Sequence, residues 1–469
     1  MDRVGDAEAL KTGTWGDLLG RERLGTVTVL AGGVAMYATN EFLTIILLPT
    51  AIADIGGQRF YAWVVTVYLV ASVVAATAVN PLLVRFGPRT SYLLTLMAFA
   101  AGTAVCAAAP TMGWLLVART LQGAAGGMLA GLGYAVINAA LPSSLWTRAS
   151  ALVSAMWGVS VIVGPALGGV FAQFGIWRWA FGSLAIATLA MAALVPGALP
   201  PRERAAPTSV AATRIPIWSL LLLGAAALTI SIAGVQRGPA LTAALLVAGV
   251  ALVGCFLVVD RRARATVLPR AVFGPGPLKW MYVTIGVLMA STMVDMYVPL
   301  FGQRLAGLIP LTAGFLGAVL AVGWTLSEIV SASIDRPRLV TRLVAASPAV
   351  MAIGLGLAAV SVDEQPTWPV IAVWVVALFL AGCGVGIAWP HLSARIMGAV
   401  GDPVEGGTAA AAINTVQLIS GAFGAGLAGV VVNAAPGHDI DAARWLFIVF
   451  AVLATVGVVA AYKAAPTAK

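Results

Sequence analysis

The chain has 469 residues, of which 60% are hydrophobic and only 10% charged, with a formal net charge of +9. A soluble globular domain carries about 25% charged residues, so that class is excluded. The positive balance does not argue for nucleic acid either, because membrane proteins keep basic residues on their cytoplasmic side.

Apolar runs of about 20 residues, the length that crosses a bilayer as a helix, recur along nearly the whole sequence. They predict an all-α polytopic membrane protein with fourteen spans, at 26–53, 60–84, 90–109, 113–141, 147–174, 177–199, 216–236, 239–259, 278–302, 308–333, 340–361, 367–389, 406–433 and 442–463. Residues 1–25 are expected to form a cytoplasmic tail, because 1–24 are polar and the first apolar run is too long for a signal peptide. With both termini inside, 21 of the 27 Lys/Arg fall on the cytoplasmic side and five outside (Arg59, Arg178, Arg237, Arg304, Arg444), with Arg119 inside a span. That asymmetry fixes the orientation and predicts a multi-pass protein of the cell (inner, cytoplasmic) membrane. Basic clusters at Arg202 to Arg214 and Arg261 to Lys279 bracket spans 7 and 8. The expected layout is a six-helix bundle at 26–199, linkers with spans 7 and 8 at 200–277, a second six-helix bundle at 278–463 and a tail at 464–469.

Span 1 reads Asn40-Glu41-Phe42-Leu43-Thr44 and ends its motif at Pro49. Glu41 is one of four charges that stand apart from any loop, with Arg119 in span 4, Asp295 in span 9 and Glu328 in span 10. A carboxylate in a low-dielectric interior holds its proton more tightly than in water, as a proton-coupled machine requires. An arginine stays charged, so it serves only to hold or compete for such a carboxylate. Glu328 is close enough in sequence to Arg336 and Arg338 for an ordinary ion pair. In span 4, Arg119-Thr-Leu-Gln122-Gly123 places a cation about seven residues inside an apolar run. Its burial costs at least about 2.5 kcal/mol and marks a functional residue by default. Span 5 carries Gly164-Pro165-Ala-Leu-Gly168-Gly169, which strips side chains from a helix face and bends it. Polar and aromatic residues within spans (Tyr37, Asn40, Tyr68, Asn138, Trp157, Tyr297, Asn414, Gln417) suit a cavity for amphipathic or cationic aromatics. Cys106, Cys255 and Cys383 lie in apolar runs without metal or redox spacing, so no metal and no cofactor are expected.

Arg-x-x-Gln-Gly in a fourth helix, followed by Gly-Pro-x-x-Gly-Gly and Trp177-Arg178-Trp179-Ala180-Phe181 around a fifth, resembles the major facilitator superfamily. More narrowly it resembles the fourteen-helix drug:proton antiporter branch. Val267-Leu268-Pro269-Arg270-Ala271-Val272-Phe273 and the helix from Gly407 to Gly424 are similar to segments of that branch. The resemblance implies two six-helix bundles plus two extra helices. Asn80-Pro-Leu-Leu-Val84-Arg85-Phe86-Gly87-Pro88-Arg89 and Ser331-Ala-Ser-Ile-Asp335-Arg336 both resemble the family's cytoplasmic latch loop. The first copy has Asn80 for its glycine and Val84 for its aspartate, which shifts any latch toward the second. The family's span-1 aspartate falls on Asn40, so either Glu41 has taken over from a face about 100° away or the usual coupling residue is absent.

The function implied is proton-coupled antiport exporting amphipathic or cationic small molecules by alternating access, driven by the proton gradient in a monomer within the lipid bilayer. The alternative is export of a lipid, siderophore or metabolite by the same fold. His-Glu-x-x-His, Gly-x-Ser-x-Gly, a P-loop and paired cysteines are all absent from the sequence, which argues against an enzyme.

Overall fold

Hydrocarbon offers no partner to a backbone N–H or C=O, so a chain this apolar must close its hydrogen bonds within helices. The computed structural model describes residues 13–57, 60–76, 78–200, 216–233, 238–263, 266–308, 310–400, 403–435 and 439–464. The outermost tails, Arg59, Arg237 and the basic run from Arg202 to Arg214 lie outside the described residues. The long helices are α1 Arg21–Ile55, α2 Tyr61–Ala76, α3 Val79–Ala108, α4 Met112–Ala140, α5 Trp146–Gln173, α6 Trp177–Ala198 and α7 Ile217–Ala233. They continue with α8 Pro239–Arg262, α9 Leu278–Thr292, α10 Pro310–Ser331, α11 Pro337–Val360, α12 Trp368–Gly386, α13 Pro403–Ala434 and α14 Asp439–Ala464. Among the described residues, eleven spans are long and apolar enough to cross a bilayer, or twelve when α1, bent by 42° between Thr44 and Ile46, counts as one. Hydroxyls inside these helices bond back to their own backbone, as Thr95 does to Ser91, Thr103 to Phe99 and Thr188 to Leu184. Small polar residues are thereby tolerated in lipid.

Two predicted spans are interrupted. The one expected at 60–84 runs through α2, turns at Ala78, and continues in α3 as far as Gly87. There a φ of 75°, open to glycine without steric cost, turns the chain into the next span. The span expected at 278–302 breaks into α9, a 3₁₀ turn at Met293–Met296 and a short helix at Val298–Arg304. Pro299 explains the break: it has no N–H to give to the carbonyl of Asp295, and its ring would collide with that carbonyl in a continuous helix.

The helix pairings repeat. In the first set α1 packs on α5 and α6, α2 on α4, and α3 on α4 and α6. In the second set α9 packs on α13 and α14, α10 on α12, and α11 on α12 and α14. Each pairing therefore recurs eight helices later, as an internal two-half repeat requires. The start of α1 meets the end of α6, where Thr26 donates to the Ala198 carbonyl at 2.6 Å. Trp15 ahead of α1 donates to Ser333 just beyond α10 at 2.7 Å. We call this face of the bundle proximal and the opposite face distal.

Candidate functional site

Between the halves lies a cavity of about 250 Å³, and its lining defines the site. The first half contributes Glu41 and Phe42 from α1 and Trp157 from α5; the second contributes Asp295, Trp324 of α10 and Gln417 of α13. Two carboxylates thus reach one apolar, aromatic chamber from opposite halves. Oε2 of Glu41 and Oε1 of Gln417 are buried without a hydrogen-bond partner. Asp295 sits in the broken turn of span 9, where the helix geometry is released by Pro299. Met289, Met293 and Met296 line the same wall. Their spacing of i, i+4 and i+7 marked one helical face in the sequence, and flexible thioethers there adapt to varied apolar shapes.

Arg119 lies behind this wall, 1% exposed. It makes no ion pair with Glu41; its donors go to neutral acceptors. Nη1 donates to Gln122 Oε1 at 2.7 Å and to Thr44 Oγ1 at 3.1 Å, and Nε donates to the Val64 carbonyl at 3.2 Å. The guanidinium carbon stands 4.0 Å from the Tyr68 ring centroid, a cation–π contact. Gln122 in turn donates from Nε2 to Asn40 Oδ1 at 2.9 Å and to Thr103 Oγ1 at 2.8 Å. The arginine therefore ties α1, α2 and α4 together, and through Gln122 reaches α3.

This network locates the departure in span 1. Asn40 is fully buried and faces Gln122, whereas Glu41, one residue and about 100° further round α1, faces the cavity. An amide thus meets the arginine network on this helix, and a carboxylate meets the chamber. Of the other cavity candidates, Tyr37 and Tyr68 stack behind the wall at 5.7 Å, and Trp157 meets Tyr37 edge-on at 5.5 Å. Tyr297 stacks on Phe301 at 6.3 Å, away from the described lining. Asn414 donates to the Gly127 carbonyl at 3.4 Å across the α4–α13 seam, and Asn138 lies beside Gly406 near the proximal end.

Glu328 does not pair with Arg336 or Arg338. It is fully buried and faces Ser154 of α5 and Trp324 of its own helix, one turn nearer the cavity. Both of its oxygens, Ser154 Oγ and Trp324 Nε1 lack a hydrogen-bond partner in this arrangement. Asp335 instead crosses to the other half, accepting from Arg148 at the start of α5 at 3.0 Å. Arg336 is the exposed residue that opens α11. In the first loop copy, Asn80 donates to Thr408 of α13 at 2.7 Å, while Arg89 donates to the Pro196 carbonyl of its own half. Arg85 lies over the Phe86 ring. With Trp389 donating to Tyr134 at 2.9 Å, the hydrogen bonds between halves, among the described residues, run from mid-bundle to the proximal face. Arg148, Tyr134 and Thr408 carried no sequence signal of their own, because their partners come from the opposite half.

The glycine motifs set backbone approach. A Cβ on Gly164 would meet Phe42, Leu43 and the Thr39 carbonyl of α1, and one on Gly168 would meet Ile46 and the Leu43 carbonyl. Pro165 frees the carbonyl of Val161, itself a lining residue. Gly123 sits against the backbone of Tyr68. Gly169 faces open space. Gly164→Val is therefore expected to destabilise the protein by about 1–3 kcal/mol through overpacking, whereas Gly169→Val should stay within about 0.5 kcal/mol. Thermal unfolding of the two purified variants checks this, and equal losses would remove close α1–α5 packing as the reason for Gly164.

The model of the Major Facilitator Superfamily matches residues 30–425. The chain is 60% identical over 463 residues to the "Probable multidrug-efflux transporter" of Mycobacterium tuberculosis, covering 97% of each chain. Among solved structures, the human organic anion transporter MFSD10 (TETRAN) aligns with a TM-score of 0.62 at 17% identity, over 94% of this chain and 99% of that one. FucP in the outward conformation also aligns at 0.62, at 14% identity, over 95% and 100%. At such identities the two structures speak for the fold alone. The paired halves, the shared cavity and the match over most of the sequence agree: the chain belongs to the Major Facilitator Superfamily.

Proposed function

We propose that the protein is a proton-coupled antiporter that exports amphipathic or cationic small molecules by alternating access. The observation that carries this reading is the meeting of Glu41 and Asp295, one from each half, in a single chamber with aromatic and methionine walls. A bound cation and a proton compete for the same carboxylate, so loading one releases the other; that exchange is the minimum an antiporter needs. Arg119 holds α1 in register so that Glu41 faces the chamber. Glu328 is the third coupling carboxyl, beneath the chamber floor. The name carried by the Mycobacterium tuberculosis relative supports a multidrug cargo.

The proximal face is cytoplasmic in this reading, supported by the excess of Lys/Arg there, and all fourteen apolar segments cross the membrane as two six-helix bundles plus α7 and α8. The contacts Asn80–Thr408 and Arg148–Asp335 then bar the cytoplasmic side, and the cycle breaks and remakes them as the halves rock. The test is pH-dye recovery in inverted vesicles, with lipophilic cations, neutral compounds and anions added in separate runs. Cation-evoked proton release is the expected result. Silence with every compound would remove antiport, and release only with lipid-like or anionic compounds would change the cargo.

A further inference from the structure

The α7–α8 hairpin lies across the seam between α2 of the first half and α13 of the second, and it treats the two sides differently. Against α13 it is close-packed: a Cβ on Gly426 would meet Ile230 of α7 at 2.9 Å and Leu246 of α8 at 3.0 Å. Gly249 of α8 likewise seats Ile230 and touches Phe423. Against the first half α7 touches α2 where a Cβ on Gly224 would lie 2.8 Å from Val74, and beside that contact the two helices part. Leu228 faces Val70, Ala71 and Val74 of α2 and Ala124 of α4 across an apolar gap of about 370 Å³. The one hydroxyl lining that gap, on Thr120, is spent on its own helix, on the Leu116 carbonyl at 2.9 Å.

The hairpin is also splinted to the second half. Asp260, fully buried at the end of α8, accepts from Ser219 Oγ of α7 at 2.8 Å and from the backbone N–H groups of Val267 and Leu268 at 2.9 and 3.0 Å. One carboxylate therefore joins α7, α8 and the linker, whose Val267 and Leu268 are themselves buried just ahead of α9. A charge so buried holds its donors firmly, because leaving them unpaired is costly.

We propose that the α7–α8 hairpin travels as one body with α9–α14 and slides over α2, shuttering the α2–α13 seam of the chamber from the bilayer, with Asp260 as the positioning residue. The cavity-lining faces of α2 (Val65, Leu69, Val73) and α13 (Leu418, Ala422) adjoin the faces the hairpin covers. The inference rests on the rocking of two halves described above.

Two disulfide pairs in a background without Cys106, Cys255 and Cys383 test it. Val74→Cys with Gly224→Cys joins α7 to α2, where a Cβ on Gly224 lies 2.8 Å from Val74. Ile230→Cys with Gly426→Cys joins α7 to α13. Oxidising the first pair should cut export about tenfold or more, reversed by reductant, while the second leaves it within about twofold, since only the first bridges bodies that move apart. Full export with the first pair oxidised, or arrest by the second, would overturn the proposal. Spin-label distances decide it without any cargo. Labels on the exposed Val247 of α8 and Val452 of α14 should keep one separation across pH. Labels on Val247 and the exposed Val117 of α4 should change separation, and the opposite pattern refutes the sliding. Asp260→Asn should broaden the Val247–Val452 distribution in folded protein; an unchanged distribution would remove Asp260 from the role. If vesicles export nothing even with wild type, the antiporter reading fails, while at any single pH a Val247–Val117 distribution broader than the Val247–Val452 one supports the hairpin's attachment and the reverse refutes it.

Discussion

Arg119→Lys should lower export by on the order of 100-fold or more although the charge is kept, since each charge-assisted hydrogen bond lost inside a protein costs about 1.5–3 kcal/mol and about 1.4 kcal/mol is a factor of ten. The arginine reaches Thr44 of α1, Gln122 of α4 and the Val64 carbonyl of α2 from two nitrogens in a planar fork. A lysine ammonium offers its donors from one point and cannot face all three. It also loses the flat contact with the Tyr68 ring. The orphaned acceptors would include Thr44, which flanks the bend of α1, so the register of Glu41 in the chamber is what should fail first. Arg119→Ala goes further by leaving a void and three acceptors, and is expected to fold poorly. Export in vesicles alongside thermal unfolding separates the two losses for the lysine variant. Wild-type export by Arg119→Lys would show that the fork is dispensable and that the cation alone matters.

The fold was largely legible because hydrocarbon imposes one rule on every span, and a long apolar run states it without reference to the rest of the chain. The site was legible only in part. Intramembrane charges announce themselves by their cost, so Glu41, Arg119, Asp295 and Glu328 stood out, and so did the one-residue shift at Asn40. What those charges touch depends on which helix lies opposite, which no local pattern encodes. Thus Arg119 proves to meet Thr44 and Gln122 where a carboxylate was the natural guess, and Glu328 turns to Ser154 although Arg336 is nearer in sequence. Asn80 looked like a lost glycine, yet it supplies a hydrogen bond to Thr408, 328 residues away. Pro299 was a readable break signal four residues after Asp295. Its consequence, a carboxylate on an unwound turn facing the chamber, needed the packed halves to become visible.

Glu41→Gln should abolish cation-evoked proton release while leaving the protein folded. The substitution keeps size and shape, and Glu41 Oε2 has no hydrogen-bond partner to lose, so the stability change should stay within about 0.5 kcal/mol. The sign of the pH effect follows from competition. In wild type a cation binds the deprotonated carboxylate, so apparent affinity rises with pH until the group is ionised and then levels off. In the glutamine variant no proton is displaced at this position, so affinity should be weaker and respond less to pH, with any residual slope belonging to Asp295. Flux down a cargo gradient should survive, because the chamber walls are intact; uphill export should not. Binding titrations of a fluorescent lipophilic cation at several pH values, paired with dye recovery in vesicles, measure both. The double variant Asn40→Asp with Glu41→Gln restores a carboxylate to α1 but aims it at Gln122, behind the wall. Coupling is expected to remain lost in it, because the chamber side of α1 is still neutral. Recovery of proton release by that double variant would move the carrier into the Arg119 network and leave Glu41 as a cargo contact only.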